Sequence, residues 1–303
     1  MAGNPIIFDR RAARWRRARV LENSGAHDFL LRRAASDIVA RLSEINRNFA
    51  LAVDLSSTGA FAAAANAFPE GKIGTLVNAA EAERLAQRLP TPALVADEEA
   101  LAFANGRLSL VVSLLALHRV NDVPGALIQI RRALMPDGLF IGAVFGGETL
   151  KELRECFAAA ELETTGGVSP RVAPFADLRD LGGLLQRAGF ALPVTDVDRA
   201  TVTYPDARAL MRELKGMGES NIMAERRRSF LRRDTLDRVA ALYAERFSTP
   251  EGRVTATFDI VYLAGWAPHP SQQKPLAPGS ARARLADALG TEERSAGEKP
   301  RST

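Results

Sequence analysis

Apolar runs of strand length alternate with helix-like patterns from residue 50 onward. Short apolar runs bounded by turn residues predict buried strands, and their alternation with helical periodicity is typical of a parallel sheet wound with helices. We therefore expect an α/β fold with a seven-stranded, mostly parallel sheet and helices on both faces. The predicted strands are Ala50–Leu55, Ile73–Asn78, Ala93–Ala96, Leu108–Leu114, Leu139–Phe145, Asp198–Tyr204 and Val254–Trp266.

The helical segments fall between these strands and continue after the fifth. The turn Met135-Pro136-Asp137-Gly138 is expected to end one helix and to start the fifth strand. A helical insertion at about 205–247, before the last strand, is long enough to lie over the ligand edge of the sheet, either as a lid or as additional packing. The predicted helices are Gly59–Ala67, Ala79–Arg88, Gly125–Leu134 and Phe175–Ala188.

This pattern divides the chain into three parts. Residues 1–48 form an N-terminal helical segment, residues 49–267 form the main domain, and residues 268–303 form a C-terminal tail whose polar end is expected to be disordered. Apolar residues make up 47% of the chain and charged residues 25%, which is ordinary for a globular protein. We predict no transmembrane segment, because no apolar run approaches the roughly 20 residues that a spanning helix needs.

Charge and cysteine content narrow the possible chemistry. Six arginines lie between residues 10 and 19, and a second cluster lies between residues 226 and 233. These clusters are either solvated helix faces or surfaces for an acidic partner or a peripheral membrane contact. We expect the first cluster to form a helix whose apolar side, with Trp15, packs near a pocket mouth. The single cysteine, Cys156, excludes an internal disulfide and a cysteine-built metal cluster, and neither a metal site nor a nucleic-acid partner is predicted.

Polar residues follow several of the predicted strands. Asp54 lies at the end of the first and Asn78 at the end of the second, Asp97 and Glu98 follow the third, and Ser113 lies at the end of the fourth. Because the carboxyl ends of parallel strands meet at one edge of a doubly wound sheet, we expect these side chains to border a ligand.

Two segments resemble one known superfamily. The stretch from Asp54 to Ala60 resembles motif I (D-x-G-x-G-x-G) of class I S-adenosylmethionine-dependent methyltransferases, with Ser56, Thr58 and Ala60 at the glycine positions, or Gly59 as the last glycine after a one-residue deletion. The L-x-L-H-x-V-N-D run that ends at Asp122 is similar to the branch of complex I assembly factor 5, which is related to biotin-pathway carboxyl methyltransferases. Further similar segments are residues 8–10, 146–154, 169–171, 265–269 and 272–275.

The resemblance implies a class I methyltransferase (Rossmann-like) fold and S-adenosylmethionine as the cofactor. Asn78 stands where the superfamily usually has an acid that holds the ribose. The catalytic candidates are His118 and Asp122. His118 is a candidate for proton transfer, and the alternative is a structural hydrogen-bonding role. Asp122, Glu148 and Glu219 are the acids to test for binding an arginine substrate. The implied cofactor-binding residues are Asp54, Ser56, Gly59, Asn78, Asp97, Glu98 and Ser113.

Three functions remain open. The branch is described as hydroxylating an arginine in a quinone-module subunit of respiratory complex I during assembly. The alternatives are an ordinary methyltransferase acting on a small carboxylate or a protein, and a non-catalytic assembly scaffold with a degenerate cofactor pocket. The expected location is the bacterial cytoplasm, or the mitochondrial matrix in a eukaryote, with a possible position at the periphery of the inner membrane.

Overall fold

A computed structural model describes residues 6–21, 27–273 and 285–292. By its contacts the chain divides into a large unit, residues 1–268, and a second unit, residues 269–303, in which a short helix covers Leu285–Leu289. The end of the tail, for which disorder is predicted, lies outside the described residues. The three-part division made from the sequence stays a prediction.

A seven-stranded sheet forms the centre of the large unit, and its strand order is β3-β2-β1-β4-β5-β7-β6. Strands β1 to β5 pair in parallel, and β7 is antiparallel to both β5 and β6. This confirms the predicted mostly parallel sheet. The strands are β1 Phe49–Asp54, β2 Ile73–Ala80, β3 Ala93–Val95, β4 Leu108–Leu114, β5 Leu134–Phe145, β6 Ala191–Tyr204 and β7 Val254–Trp266.

Helices cover both faces of this sheet. Asp122, Asp177 and Asp206 cap the N-termini of α5, α7 and α8, because each carboxylate accepts a backbone N–H three residues later. Helices α8 and α9 form the predicted insertion before the last strand. The helices of the large unit are α1 Arg10–Leu21, α2 Phe29–Glu44, α3 Ala60–Ala65, α4 Glu83–Ala86, α5 Val123–Ala133, α6 Lys151–Thr165, α7 Leu178–Arg187, α8 Ala207–Met217 and α9 Arg233–Phe247.

Alternate residues of the central strands serve two cores. Leu110, Val112 and Leu114 of β4 pack with α2, α6, α8 and α9 on one face, whereas Val111 packs with α5 and α7 on the other. All seven residues of β4 are buried, as expected for a parallel strand with helices on both sides. Among the described residues, no helix is both long and apolar enough to cross a membrane.

Several predicted boundaries are wrong, among them the start of the sixth strand, which begins at Ala191 and not at Asp198. Ala79 and Ala80 belong to β2 and not to a helix, because they pair with β3, and only Glu83–Ala86 is helical in the segment that follows. The segment 135–138 does not precede the fifth strand but lies inside it, because β5 already begins at Leu134 beside Leu108. Alanine and short turn motifs suit several structures, and strand pairing with distant residues decides between them.

Candidate functional site

The site begins at the end of β1. Asp54, the last residue of this strand, is buried, and its Oδ1 accepts the Ser56 N–H at 2.8 Å. Its Oδ2 has no hydrogen-bond partner among the described residues. Burial raises the pKa of Asp54 to about 6.

The loop that follows is tightly held. The Ser56 Oγ accepts the Leu114 N–H at 2.7 Å, so this hydroxyl joins the loop to β4. The left-handed backbone conformation is adopted by Ser57, with a φ of 59°, and by Gly59, with a φ of 71°. At Gly59 a Cβ would lie 3.2 Å from Pro90 Cδ. The sequence offers Gly59 as one of the candidate glycines, but it gives no sign that Ser57 takes this conformation.

The end of β2 carries an acid that sequence reasoning missed. Asn78 lies within the strand, opposite Asp54, and its Nδ2 donates to the Pro90 carbonyl at 2.9 Å. Its Oδ1 has no partner among the described residues. Glu81 is the residue that directly follows β2, and it is buried. It could have been found by continuing the strand through the two small alanines.

Helix α1 places arginines on the acids at the ends of β2 and β3. Arg10 Nη2 lies 2.8 Å from Asp97 Oδ1 and 2.6 Å from Glu98 Oε2. Arg14 also pairs with Asp97, and its Nε lies 3.7 Å from Glu81. We call Glu81, Asp97 and Glu98 the acidic edge. The arginine face of α1 is Arg10, Arg14 and Arg17.

Arg17 is the most deeply placed member of the arginine face. It is 6% exposed, and its Nη1 lies 3.9 Å from Glu81 Oε1, which is an ion pair without a hydrogen bond. Burial, followed by the nearby charge of Arg119, lowers the pKa of Arg17 to about 10. Burial would raise the pKa of Asp97, but a hydrogen bond from the Glu99 N–H and the charges of Arg10 and Arg14 lower it below its ordinary value.

A second group of polar side chains lies where the β4 end meets the insertion. His118 Nε2 is 3.4 Å from Glu219 Oε2, and Arg119 Nη1 is 3.6 Å from Glu219 Oε1. Glu219 comes two residues after α8. Burial acts to raise its pKa, but Arg119 and His118 outweigh burial and lower the pKa to about 2. Glu219 is therefore a carboxylate at neutral pH.

The His118 ring lies among aromatic side chains. Its centroid is 4.9 Å from that of Phe145 and 5.8 Å from that of Phe175. Burial lowers the pKa of His118 below its ordinary value, so the imidazole is neutral at neutral pH. Its Nδ1 has no partner among the described residues, and the Ser113 Oγ nearby in sequence is also without one.

Two cavities share a wall formed by Arg119, Phe145 and Glu219. The first, of about 460 Å³, extends toward α2 and the β1 loop and includes Arg17 and Gly59 in its lining. The second, of about 180 Å³, lies between α6 and α8 and is lined by aromatic and aliphatic side chains together with polar ones. We call them the first and second cavities. Among the described residues, no group of three or more histidine, cysteine or acidic side chains is arranged to hold a metal ion.

The other residues named from the sequence lie elsewhere or serve the fold. Asp122 caps α5, where its Oδ1 accepts the Gly125 N–H at 2.8 Å. Glu148 is 52% exposed and pairs with Lys151. Trp15 does not pack at a pocket mouth as expected: it is 59% exposed, with the Arg19 guanidinium stacked over its ring. Of the acids proposed for arginine binding, Glu219 is therefore the one placed between the cavities.

Comparison with known proteins relates the chain to two kinds of enzyme. The model of the family described as "Methyltransferase domain" matches residues 50–142. The mitochondrial arginine-hydroxylase NDUFAF5 of Danio rerio is 40% identical over 93% of this chain and 89% of its own length, and that of Homo sapiens is 45% identical over 84% and 74%. A malonyl-[acyl-carrier protein] O-methyltransferase of Laribacter hongkongensis is 37% identical over 86% and 87%.

Solved structures agree on the fold. A Bacillus halodurans protein described as a methyltransferase superposes with a TM-score of 0.53 at 13% identity, covering 77% of this chain and 99% of that one. The YcgJ protein of Bacillus subtilis gives a TM-score of 0.52 at 11% identity, covering 78% and 98%. The chain belongs to the class I S-adenosylmethionine-dependent methyltransferase superfamily, in the family that includes the arginine-hydroxylase NDUFAF5.

Proposed function

We propose that this protein is an assembly factor for respiratory complex I that binds S-adenosylmethionine and hydroxylates an arginine of a quinone-module subunit. The observation that carries the proposal is the 40% identity to an arginine-hydroxylase NDUFAF5 over 93% of the chain. The similarity extends over 286 residues and 89% of that relative's own length.

The polar groups at the strand ends suit S-adenosylmethionine. Asp54 Oδ2, Asn78 Oδ1 and Ser113 Oγ are buried and without partners among the described residues. Three such atoms in the C-terminal halves of adjacent strands β2, β1 and β4 favour a ligand that brings hydroxyl and ammonium donors. Asp54 and the β1 loop would hold the amino-acid part, and the acidic edge would hold the adenosine part. When bound, S-adenosylmethionine supplies an electrophilic methyl group.

The second cavity suits the side chain of an arginine substrate. Its lining includes Phe157, Phe175 and Leu214 beside the Glu219 carboxylate, so an aliphatic stem can pack on the rings while a guanidinium pairs with Glu219. His118 stands next to Glu219, and its unpaired Nδ1 can accept a proton. Hydroxylation inserts one atom of O₂ into a C–H bond, and two electrons and two protons from a reductant convert the other atom to water.

The proposed site of action follows from the partner. The NDUFAF5 relatives are named as mitochondrial, and a bacterial chain of this kind would act in the cytoplasm. Contact with the membrane would be peripheral.

The test is the mass of complex I subunits from cells with and without this protein. We expect deletion to lower the amount of assembled complex I and to remove the mass of one oxygen atom from an arginine-containing peptide of a quinone-module subunit. Complementation with Glu219→Gln should fail to restore this mass, and the matched control Glu148→Gln, at an exposed pair, should restore it. Normal complex I with an unchanged subunit mass would refute the proposal.

Methyl transfer to a carboxylate is the second candidate function. It is favoured by the 37% identity to a malonyl-[acyl-carrier protein] O-methyltransferase and by the cations Arg119, Arg171 and Lys215 in the lining of the second cavity. A deletion strain that lacks a methyl ester, and whose subunit masses are unchanged, would support it. A scaffold without a cofactor is the third, and isothermal titration with S-adenosylmethionine separates it from both enzymes.

A further inference from the structure

The arginine face of α1 contacts the acidic edge through one continuous side of the helix. Positions 10, 14 and 17 are four and three residues apart and therefore lie on one side. Arg10 Nη2 is within hydrogen-bond distance of both Asp97 Oδ1 and Glu98 Oε2, and it lies 3.8 Å from Glu81. The charges of Glu98, Glu81 and Asp97 outweigh the effect of burial and raise the pKa of Arg10.

These arginines occupy the acids assigned above to the adenosine part of the cofactor. A carboxylate only accepts hydrogen bonds, and ribose hydroxyls and an adenine amino group would need the same lone pairs that the guanidinium groups now use. None of Glu81, Asp97 and Glu98 lines the first cavity, whereas Arg17 does. The space beside the β1 loop is thus open, and the acidic edge is covered by α1.

Helix α1 is held more by charge than by apolar packing. Its apolar contacts come from small side chains: Ala13 is buried in a small cluster with Phe8, and Ala18 packs against a second small cluster around Leu85, whereas Trp15 is 59% exposed. The helix has no acidic residue, so its arginines repel one another. Burial lowers the pKa of Arg16, and the nearby charge of Arg226 lowers it further. Such a helix loses much of its attachment when its ion pairs are exchanged for another ligand.

We propose that α1 is a displaceable strap whose arginine face competes with the adenosine part of the cofactor for the acidic edge. The inference rests on the cofactor of the proposed function but not on the acceptor or the reaction. Ligand entry releases Arg14 and Arg10 from their acids, and departure of the ligand returns them. The affinity for the cofactor is therefore set in part by the strength of these ion pairs.

Calorimetric titration of S-adenosylhomocysteine and of adenosine tests the competition. Arg14→Gln removes the more exposed pair, and we expect both ligands to bind about two- to fivefold more tightly, the range of a partly exposed ion pair. Arg11→Gln is the matched control, because Arg11 is exposed on the same helix, and it should leave both affinities unchanged. Adenosine is uncharged, so its gain cannot come from removal of long-range repulsion.

A second measurement follows the helix itself. If the strap is displaced, S-adenosylhomocysteine accelerates tryptic cleavage within α1 of the wild-type protein. A single cooperative melting transition of Arg14→Gln shows that the variant is folded. Weaker or unchanged binding by Arg14→Gln, slower cleavage with ligand, or no binding to any variant would each overturn the inference. Loss of the oxygen from the subunit peptide is measured separately, so failure here is distinct from failure of the proposed hydroxylation.

Discussion

The two ends of the sheet edge satisfy their buried charges in different ways. At the β2 and β3 ends, Glu81, Asp97 and Glu98 are covered by arginines from α1. At the β4 end, Glu219 is held by His118 and Arg119, and two cavities open beside it. None of the three acids in the first arrangement lines the first cavity, whereas Glu219 in the second arrangement lines both cavities.

The difference shows that the same kinds of side chain can close a site or build one. Ion pairs between helix and strand ends fill the space between them, whereas the aromatic rings around His118 keep a space that polar atoms border. Buried charges need partners wherever they lie. Whether the space beside the paired charges is filled or kept open by apolar side chains decides whether a ligand has room.

The largest effect is expected at the β4 end, from Glu219. Glu219→Gln removes the anion that pairs with the buried side chains of Arg119 and His118, and we expect a loss of about 3–5 kcal/mol in the free energy of unfolding, because a broken buried pair leaves its partner uncompensated. Urea unfolding measures this change. The control Glu148→Gln should leave the urea midpoint unchanged, and a wild-type midpoint for Glu219→Gln would show that Glu219 is not part of a buried network.

A smaller effect is expected at the end of β1, from Asp54. The unfolded pKa is 3.8 and the folded pKa is about 6, so the folded state binds more protons between these values and loses stability as pH rises through them. Asp54→Asn should abolish this dependence and increase the free energy of unfolding by about 2–3 kcal/mol above pH 6. Urea titrations across this range measure it. The control Asp198→Asn, which loses a partly exposed pair with Arg33, should shift the midpoint slightly downward, and a flat wild-type profile would contradict the buried position of Asp54.

The smallest effect tests whether ion pairs or apolar contacts attach α1 to the rest of the protein. Trp15→Ser should change the free energy of unfolding by less than about 0.5 kcal/mol, because the ring is 59% exposed. Phe8→Ala, at a buried aromatic residue just before the same helix, should cost about 3 kcal/mol. Thermal melts of the two variants make the comparison. A large loss at Trp15 would mean that apolar contacts, and not the arginine face, attach α1.

Much of the fold follows from the sequence, and the exceptions have a common cause. The seven strands and the helical insertion were predicted because buried apolar runs such as Leu108–Leu114 have few alternatives. The predicted end of β2 is wrong because Ala79 and Ala80 suit a helix as well as a strand. The expected orientation of α1 is wrong, because Arg17 is buried and Trp15 is exposed. This orientation depends on the ion pairs of the neighbouring Arg10 and Arg14 with acids 83 to 88 residues away along the chain.

The candidate site was predicted in part. Reading polar residues after each strand named Asp54, Asp97 and Ser113, and the structure places them at one edge. Asn78 was assigned to the edge, but it lies inside β2, and Glu81 was missed for the same reason. The position of Glu219 depends on how the insertion returns to the sheet, and local patterns carry no information on such long-range contacts.

The single thiol of the chain gives this protein an experimental advantage. Cys156 is fully buried in α6, and burial raises the pKa of its thiol to about 11, so it stays protonated and unreactive at neutral pH. Alkylating dyes will therefore pass over the native protein. One cysteine introduced on the outer side of α1, such as Arg11→Cys, would accept a fluorophore selectively, and the motion of that helix could be watched in real time without removing any natural residue from the core.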